Sequence, residues 1–266
     1  MRKVTAAVLI VYVGLTTYAV LSVIAGWPMG SWLTPLNTLA GFAFSVLHAG
    51  QRYGWKSALV LLLSVFVISL GLESLGVATG WVYGPYHYTD QLGVKFLGLV
   101  PLLIPVAWFM MMYPATVFAD QIVLRNNRDG IGMRILAAAL AGFIMTAWDV
   151  AMDPMMVKAG HWVWEVQGAF FGVPVHNYIG WWLTSFLSVG VFLLVTMKMK
   201  LPEKEIPARW TVIYYATQAG ATIVTDVFIG LSGAGMAGFF AMLPWIIIGW
   251  IFKGEKGGQD AGKDQP

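Results

Sequence analysis

Long apolar runs are the feature that most constrains how this chain of 266 residues folds. Largely apolar runs cover residues 4–26, 57–79, 97–118 and 131–148, and crossing a bilayer takes about 17–25 such residues. Only 11% of the residues are charged, against about 25% in a typical soluble domain. The sequence therefore predicts an all-α, polytopic transmembrane helical bundle and excludes a soluble main body.

The runs divide the chain into eight predicted helices. They cover residues 4–26, 33–50, 57–79, 97–118, 131–153, 176–197, 210–231 and 235–252. Pro154 follows Asp153 and predicts the end of the fifth helix there. Residues 1–252 are expected to form a single integral membrane domain. Residues 253–266, rich in Gly and charge, are expected to be a flexible cytoplasmic tail.

The distribution of basic residues predicts the orientation. With eight helices, every Lys and Arg except Lys95 and Lys158 falls on one side of the membrane. Positive charge is retained on the cytoplasmic side. We therefore expect both termini to be cytoplasmic, in a multi-pass protein of the cell membrane.

Acidic residues inside the predicted helices are the candidate catalytic groups. Glu73, Asp149, Asp153 and Asp226 all lie in the last third of helices three, five and seven. These helices run in the same direction, so the four acids are expected to converge near the outer surface. A carboxylate at the bilayer centre costs about 2.5–3.5 kcal/mol, which favours a functional role. The structural alternative is that each acid only bonds to nearby Trp, Tyr or Thr side chains.

Asp149 and Asp153 are four residues apart and therefore share one helical face. Two like charges in a low dielectric near a helix C-terminus disfavour double ionisation, so one acid is expected to carry a proton. A general acid requires that state. The same spacing also resembles half of the Mg-diphosphate site of membrane prenyltransferases. Such a site needs basic residues near the diphosphate, and only Lys95 and Lys158 are predicted on the outer side of the membrane.

Two predicted outer loops, residues 80–90 and 161–178, hold dense aromatic and polar side chains. An interfacial aromatic belt is one interpretation, and a lid over a site is the other. His48 lies near the inner end of helix two and is predicted to be structural. The candidate substrate-binding residues are Tyr86, His87, Tyr88, Asp90, Trp148, Trp164, Glu165, His176 and Asn177.

The chain contains no Cys, which excludes thiolate chemistry and thiolate metal sites. The spacing of His161, Glu165 and His176 matches no helical ligand pair, so we expect no metal. Protonated carboxyls among aromatic rings suit the protonation of an apolar alkene, because ring faces stabilise the resulting cation. This chemistry needs no cofactor. A prenyltransferase or cyclase, a proton-coupled carrier and a structural scaffold are the alternatives.

Two sequence blocks resemble the membrane carotenoid biosynthesis family. The first runs from Gly84-Pro85-Tyr86-His87-Tyr88-Thr89-Asp90 to Tyr113-Pro114. The second contains Trp148-Asp149, Met152-Asp153-Pro154, Gly160-His161-Trp162-Val163-Trp164, Phe171-Gly172-Val173-Pro174 and Asn177-Tyr178-Ile179-Gly180-Trp181. Together they cover about residues 80–182.

The resemblance implies a carotenoid hydratase, which adds water to a terminal double bond of an acyclic ψ end and leaves a tertiary alcohol. The family includes 1,2-hydratases of forty-carbon carotenes and hydratases of fifty-carbon bacterioruberin precursors. We expect Asp149 or Asp153 to deliver the proton, and Glu73 and Asp226 to tune that pair or hold water. The expected partners are a carotenoid from the bilayer and membrane lipid, without nucleic acid; association with other carotenoid enzymes is compatible with this.

Overall fold

The computed structural model describes residues 1–124, 130–200, 202 and 206–251. These residues form eight α-helices: α1 Arg2–Ala25, α2 Leu33–Tyr53, α3 Trp55–Thr79, α4 Leu103–Val123, α5 Ile131–Lys158, α6 Val175–Val195, α7 Arg209–Phe228 and α8 Ser232–Ile251. Four short strands lie between helices: β1 Tyr86–Tyr88, β2 Lys95–Phe96, β3 Val100–Pro101 and β4 Trp162–Trp164. The predicted tail, 253–266, lies outside the described residues, and the single-domain assignment stays a prediction.

The prediction of an all-α fold is confirmed. Of the helices in the described part of the chain, 6 are long and apolar enough to cross a membrane. The remaining two, α2 and α7, carry more polar side chains. Eight spans and cytoplasmic termini stay predictions.

The burial pattern of α1 is the reverse of that of a soluble helix. Its buried residues include Thr5, Tyr12 and Thr16, whereas Ile10 and Leu21 are exposed. In lipid the apolar side chains face outward, and polar side chains find partners inside the protein. This pattern supports a membrane location.

Helix α4 lies at the centre of the bundle. Every residue from Trp108 to Asp120 is buried, as expected for a helix that is apolar on all faces. Helix α5 packs against α4 on one side and against α6 and α8 on others. The acids of α5 therefore project into the interior.

Several predicted helix ends are wrong, and two of them have a local structural cause. Helix α4 begins at Leu103 rather than at 97, because residues 95–101 form the antiparallel hairpin of β2 and β3. Its turn places Leu97 and Gly98 at positive φ, which no α-helix accommodates. Helix α5 continues through Pro154 to Lys158, since helix packing in membranes tolerates an internal proline.

Candidate active site

A pair of buried carboxyl groups lies on α5. Asp149 and Asp153 are one turn apart, and their exposed fractions are 0% and 1%. The side-chain amide of Asn177, at the start of α6, donates to Oδ2 of Asp149 (2.9 Å) and to Oδ2 of Asp153 (2.6 Å). Trp162 Nε1 donates to Asp153 Oδ1 (2.7 Å). Asp149 Oδ1 has no hydrogen-bond partner among the residues that the structure describes.

The third acid, Glu73 of α3, is held by three donors. Trp108 Nε1 donates to Oε1 (2.9 Å). The hydroxyl groups of Tyr86 and Tyr88 both donate to Oε2, the latter at 2.9 Å. All three donors are neutral side chains. We call Glu73, Asp149, Asp153 and Asn177 the acid cluster.

The two loops pair across the acid cluster. Strands β1 and β4 form an antiparallel ribbon in the register Tyr86↔Trp164, His87↔Val163 and Tyr88↔Trp162. Successive side chains of a strand point to opposite faces. The four aromatic side chains at the outer pairs therefore lie on the inner face of the ribbon, whereas His87 and Val163 lie on the exposed face.

The surroundings of Tyr86 and Tyr88 determine that their hydroxyl groups stay protonated. Burial, together with the nearby charge of Glu73, raises the pKa of Tyr86 and the pKa of Tyr88 well above their ordinary value. Both hydroxyls keep their protons and remain donors to Glu73.

A cavity of about 250 Å³ borders the acid cluster. Glu73, Asp153 and Asn177 line it on the polar side. Side chains of α1 and α2, among them Val20, Val23 and Leu33, line it on the apolar side. The aromatic lining residues are Tyr83, Tyr86, Tyr88, Trp108, Trp148, Trp162, Trp164 and Trp181.

Three tryptophans form a continuous wall of this cavity. The rings of Trp108 and Trp181 stack with centroids 4.1 Å apart. Trp148 meets Trp181 edge-to-face at 5.9 Å. Ring faces attract cations within about 6 Å of the centroid, so the wall suits a positively charged intermediate.

Close packing at two glycines seats Tyr83 beside this wall. A Cβ at Gly76 would lie 2.6 Å from the Tyr83 ring, and one at Gly180 would lie 2.5 Å from it. Tyr83 bonds to Thr184 Oγ1 (2.7 Å) and lines the cavity. Glycine at both positions lets the loop approach α3 and α6 closely enough to close the cavity.

Comparison with known proteins assigns the family. The family described as "Carotenoid biosynthesis protein" matches residues 33–244, which include the whole acid cluster. This chain belongs to the carotenoid biosynthesis protein family. The resemblance of the two sequence blocks is thereby confirmed.

One curated relative in this comparison is bisanhydrobacterioruberin hydratase of Haloarcula japonica. It is 34% identical over 137 residues, which cover 52% of this chain and 45% of the relative. The chain thus matches less than half the length of that relative. No solved structure matches this family member.

The structure brings together most of the predicted site residues. Tyr86, Tyr88, Trp148 and Trp164 line the cavity beside Glu73, Asp153 and Asn177. Asp149 lies behind Asp153, bonded through Asn177 and absent from the lining.

The remaining predicted residues lie elsewhere. Asp226 is buried next to Gly235 of α8, where neither carboxyl oxygen has a partner among the described residues. His87 and Glu165 pair at 3.4 Å on the exposed face of the ribbon. His176 is exposed at the start of α6.

Asp90 is exposed too, 2.7 Å from Lys95 Nζ. The hydrogen bond and charge of Lys95 lower the pKa of Asp90. The structure does not bring His87, Asp90, Glu165, His176 or Asp226 into the cavity.

Sequence reasoning missed Tyr83, Trp108, Trp162 and Trp181 as site residues. A signal existed for Trp108, because an indole N–H inside an apolar run needs a partner when buried. Trp162 had no comparable local signal, since its contact with Asp153 depends on the pairing of β1 with β4.

Proposed function

We propose that this chain is a carotenoid hydratase that adds water to the terminal double bond of an acyclic ψ end. The observation that carries the proposal is the pair Asp149 and Asp153, bridged by Asn177 beside an apolar, tryptophan-walled cavity. The hydratase name of the Haloarcula japonica relative supports the same reaction.

Asp153 is the proton donor in this mechanism. It lines the cavity, whereas Asp149 lies behind it and shares the Asn177 amide. Double ionisation of the pair is unfavourable because two like charges are buried together. The pair therefore retains one proton, as a general acid must.

The reaction balances without a cofactor. The Asp153 O–H bond breaks as a new C–H bond forms at the less substituted carbon of the alkene, leaving a tertiary cation. Water adds to that cation through its oxygen. The proton that this water loses returns to the carboxylate, so the product is the tertiary alcohol and the acid is regenerated.

The cavity walls stabilise the intermediate. The faces of Trp108, Trp148 and Trp181 attract the cation, and the carboxylate of Glu73 adds an opposite charge. The ribbon tyrosines hold Glu73 in place. Asp226 lies outside this arrangement and has no role in it.

The reacting end of the substrate lies beside the acid cluster, in the cavity of about 250 Å³. The polyene therefore extends from the cavity along the apolar residues of α1 and α2 into the bilayer. We place the protein in the cell membrane with both termini cytoplasmic, on the basis of its charge distribution.

The test is to express the chain in a host that accumulates lycopene and to determine the mass and structure of the pigment. The expected product gains the mass of one water per reacted end and carries a tertiary hydroxyl. The Asp153→Asn chain in the same host is the matched control. Unchanged lycopene together with unchanged fifty-carbon precursors would contradict the proposal, and so would a product that gains a prenyl unit.

A further inference from the structure

The cavity has a second polar wall, opposite in character to the acid cluster. Asn37 of α2 and Gln218 of α7 line the cavity, and both are neutral side-chain amides inside membrane-length helices. Nothing in the proton transfer described above uses either residue.

Both amides are anchored by α1 through their carbonyl oxygens. The hydroxyl of Tyr12 donates to Gln218 Oε1 (2.5 Å), and the hydroxyl of Thr16 donates to Asn37 Oδ1 (3.0 Å). Tyr12 and Thr16 are four residues apart, so they share one face of α1 and lie about 6 Å apart along its axis. Both amides are thus bound to the same face of α1.

The anchors themselves are rigid. Tyr12 is fully buried and stacks on Tyr214 with ring centroids 4.4 Å apart. A Cβ at Gly41 would lie 2.5 Å from the Tyr214 hydroxyl and 3.2 Å from the Tyr12 ring. Glycine at position 41 therefore lets α2 approach this stack closely.

This anchoring leaves the donor ends of the amides available. Among the described residues, no hydrogen bond uses the side-chain NH₂ group of Asn37 or of Gln218. Both side chains are half-buried and line the cavity, so these donors are accessible to a molecule that occupies it. Two such donors on one cavity wall call for a ligand that accepts hydrogen bonds.

We infer that Asn37 and Gln218 hold the water molecule that adds to the substrate. This inference rests on the proposed hydration. The reacting end of the carotenoid is a hydrocarbon and cannot satisfy these donors, whereas water can. A water that accepts a hydrogen bond from the NH₂ group of one amide and donates one to the carbonyl oxygen of the other has the two polar partners that an internal water needs. It accepts only one hydrogen bond, so its second lone pair stays available for the cation.

The competing explanation is that the amides only join α1 to α2 and α7. Interhelical bonds of polar side chains commonly have that role in membranes. The two explanations differ in which atoms matter: joining the helices needs the carbonyl oxygens and the α1 hydroxyls, whereas holding water needs the NH₂ groups.

The experiment measures how the cation partitions in membranes that contain the full chain and lycopene in D₂O. Deuteron transfer places deuterium on the alkene carbon. A cation that meets water becomes the alcohol. A cation that does not meet water loses a proton and becomes a deuterated carotene without oxygen. The ratio of deuterated carotene to alcohol is independent of the amount of folded protein.

The variants are Asn37→Leu and Gln218→Met, with Thr16→Val and Tyr12→Phe as their matched controls. The controls remove only the anchoring hydroxyl and keep the NH₂ group. We expect the ratio to rise about tenfold in each amide variant, the effect of one lost hydrogen bond, and to rise less in the paired control. If an amide variant makes too little of both products to measure, its control must still show a rise in this ratio of less than about tenfold.

Equal ratios in each amide variant and its control would overturn the inference, since only joining of the helices would then matter. A ratio that stays at the wild-type value in all four variants would overturn it as well. If the wild-type chain forms no alcohol, the proposed function itself fails. The two failures are therefore distinguishable.

Discussion

Two buried polar clusters lie near opposite ends of the bundle, and their charges are balanced in different ways. The first is the acid cluster. The second, here called the basic-end cluster, consists of His48 and Arg52 of α2 with Tyr113 and Asp120 of α4. Along α4, Asp120 lies about 18 Å from Trp108, which donates to Glu73.

Opposite charges meet in the basic-end cluster. Arg52 Nη2 lies 3.1 Å from Asp120 Oδ2. His48 bonds to the Tyr113 hydroxyl and, at 3.3 Å, to the carbonyl oxygen of Pro207. These contacts fix α2 against α4 and the segment before α7. No residue of this cluster lines the cavity described above.

The acid cluster gathers like charges instead. Within the described residues, every hydrogen-bond partner of Glu73, Asp149 and Asp153 is a neutral Tyr, Trp or Asn side chain. Such an arrangement contributes less to stability than an opposite pair, because the carboxylates repel each other. We therefore expect the basic-end cluster to serve the fold and the acid cluster to serve chemistry.

The largest effect is expected from changing an aspartate of the acid cluster to asparagine. Asp153→Asn removes the proton donor and should lower alcohol formation by about 10²–10⁴-fold. Asp149→Asn should have an effect of the same order, because it removes the group that keeps the proton on the pair. Both are measured as alcohol formed per amount of folded protein in membranes.

Asp120→Asn is the matched control at the basic end. It should retain the activity of each folded molecule, since Asp120 does not reach the cavity. Equal losses in Asp120→Asn and Asp153→Asn would break the distinction between the clusters. Full activity of Asp153→Asn would remove it from the mechanism.

The stability of the protein, in contrast to its activity, should depend more on the basic-end cluster than on the acid cluster. Arg52→Met removes the guanidinium that lies 3.1 Å from the buried Asp120 carboxylate. Breaking a buried pair from one side lowers the free energy of unfolding by about 3–5 kcal/mol. Thermal unfolding in detergent measures the change. The double variant Arg52→Met, Asp120→Leu should recover part of the loss, because it removes both charges. A stability unchanged in Arg52→Met would contradict the structural role of this cluster.

Much of the fold could be predicted from the sequence because each membrane helix is marked by its own apolar run. The apolar runs located all eight helices, and the errors concern where helices begin and end. The turn before α4 and the tolerated proline in α5 explain two of these errors. The ribbon could not be predicted. Its strands have three residues each and are separated by more than seventy residues, so no periodicity within either strand reveals the partner.

The difference between local features and contacts of distant segments also explains which site residues could be predicted from the sequence. The spacing of Asp149 and Asp153 on one helix is a local property, and their proximity follows from it. Which of Tyr86, His87 and Tyr88 face inward depends on the pairing of β1 with β4. The depth of Asp226 along α7 could be inferred from the sequence, but the rotation of α7 toward α8 could not.

A smaller effect is expected at the hydroxyl groups around Glu73. Tyr86→Phe removes one of the three donors to this carboxylate while keeping the ring. Alcohol formation should fall about tenfold, since a hydrogen bond to a charged group contributes about 1.5–3 kcal/mol. Tyr83→Phe is the matched control, because its hydroxyl bonds to Thr184 rather than to an acid. Equal losses in the two variants would mean that Glu73 is not the group through which Tyr86 acts.

The smallest effect is expected on the outer face of the ribbon, where the sequence predicted substrate contacts at His87 and Glu165. Both side chains are more than half exposed, and their contact at 3.4 Å is a surface pair of a kind that contributes at most about 1 kcal/mol. His87→Ala and Glu165→Gln should therefore keep alcohol formation within about twofold of wild type, since strand alternation points both away from the cavity. Initial rates at several lycopene concentrations measure this directly. A tenfold loss in either variant would show that substrate also contacts the exposed face, and the acid cluster would then be only part of the site.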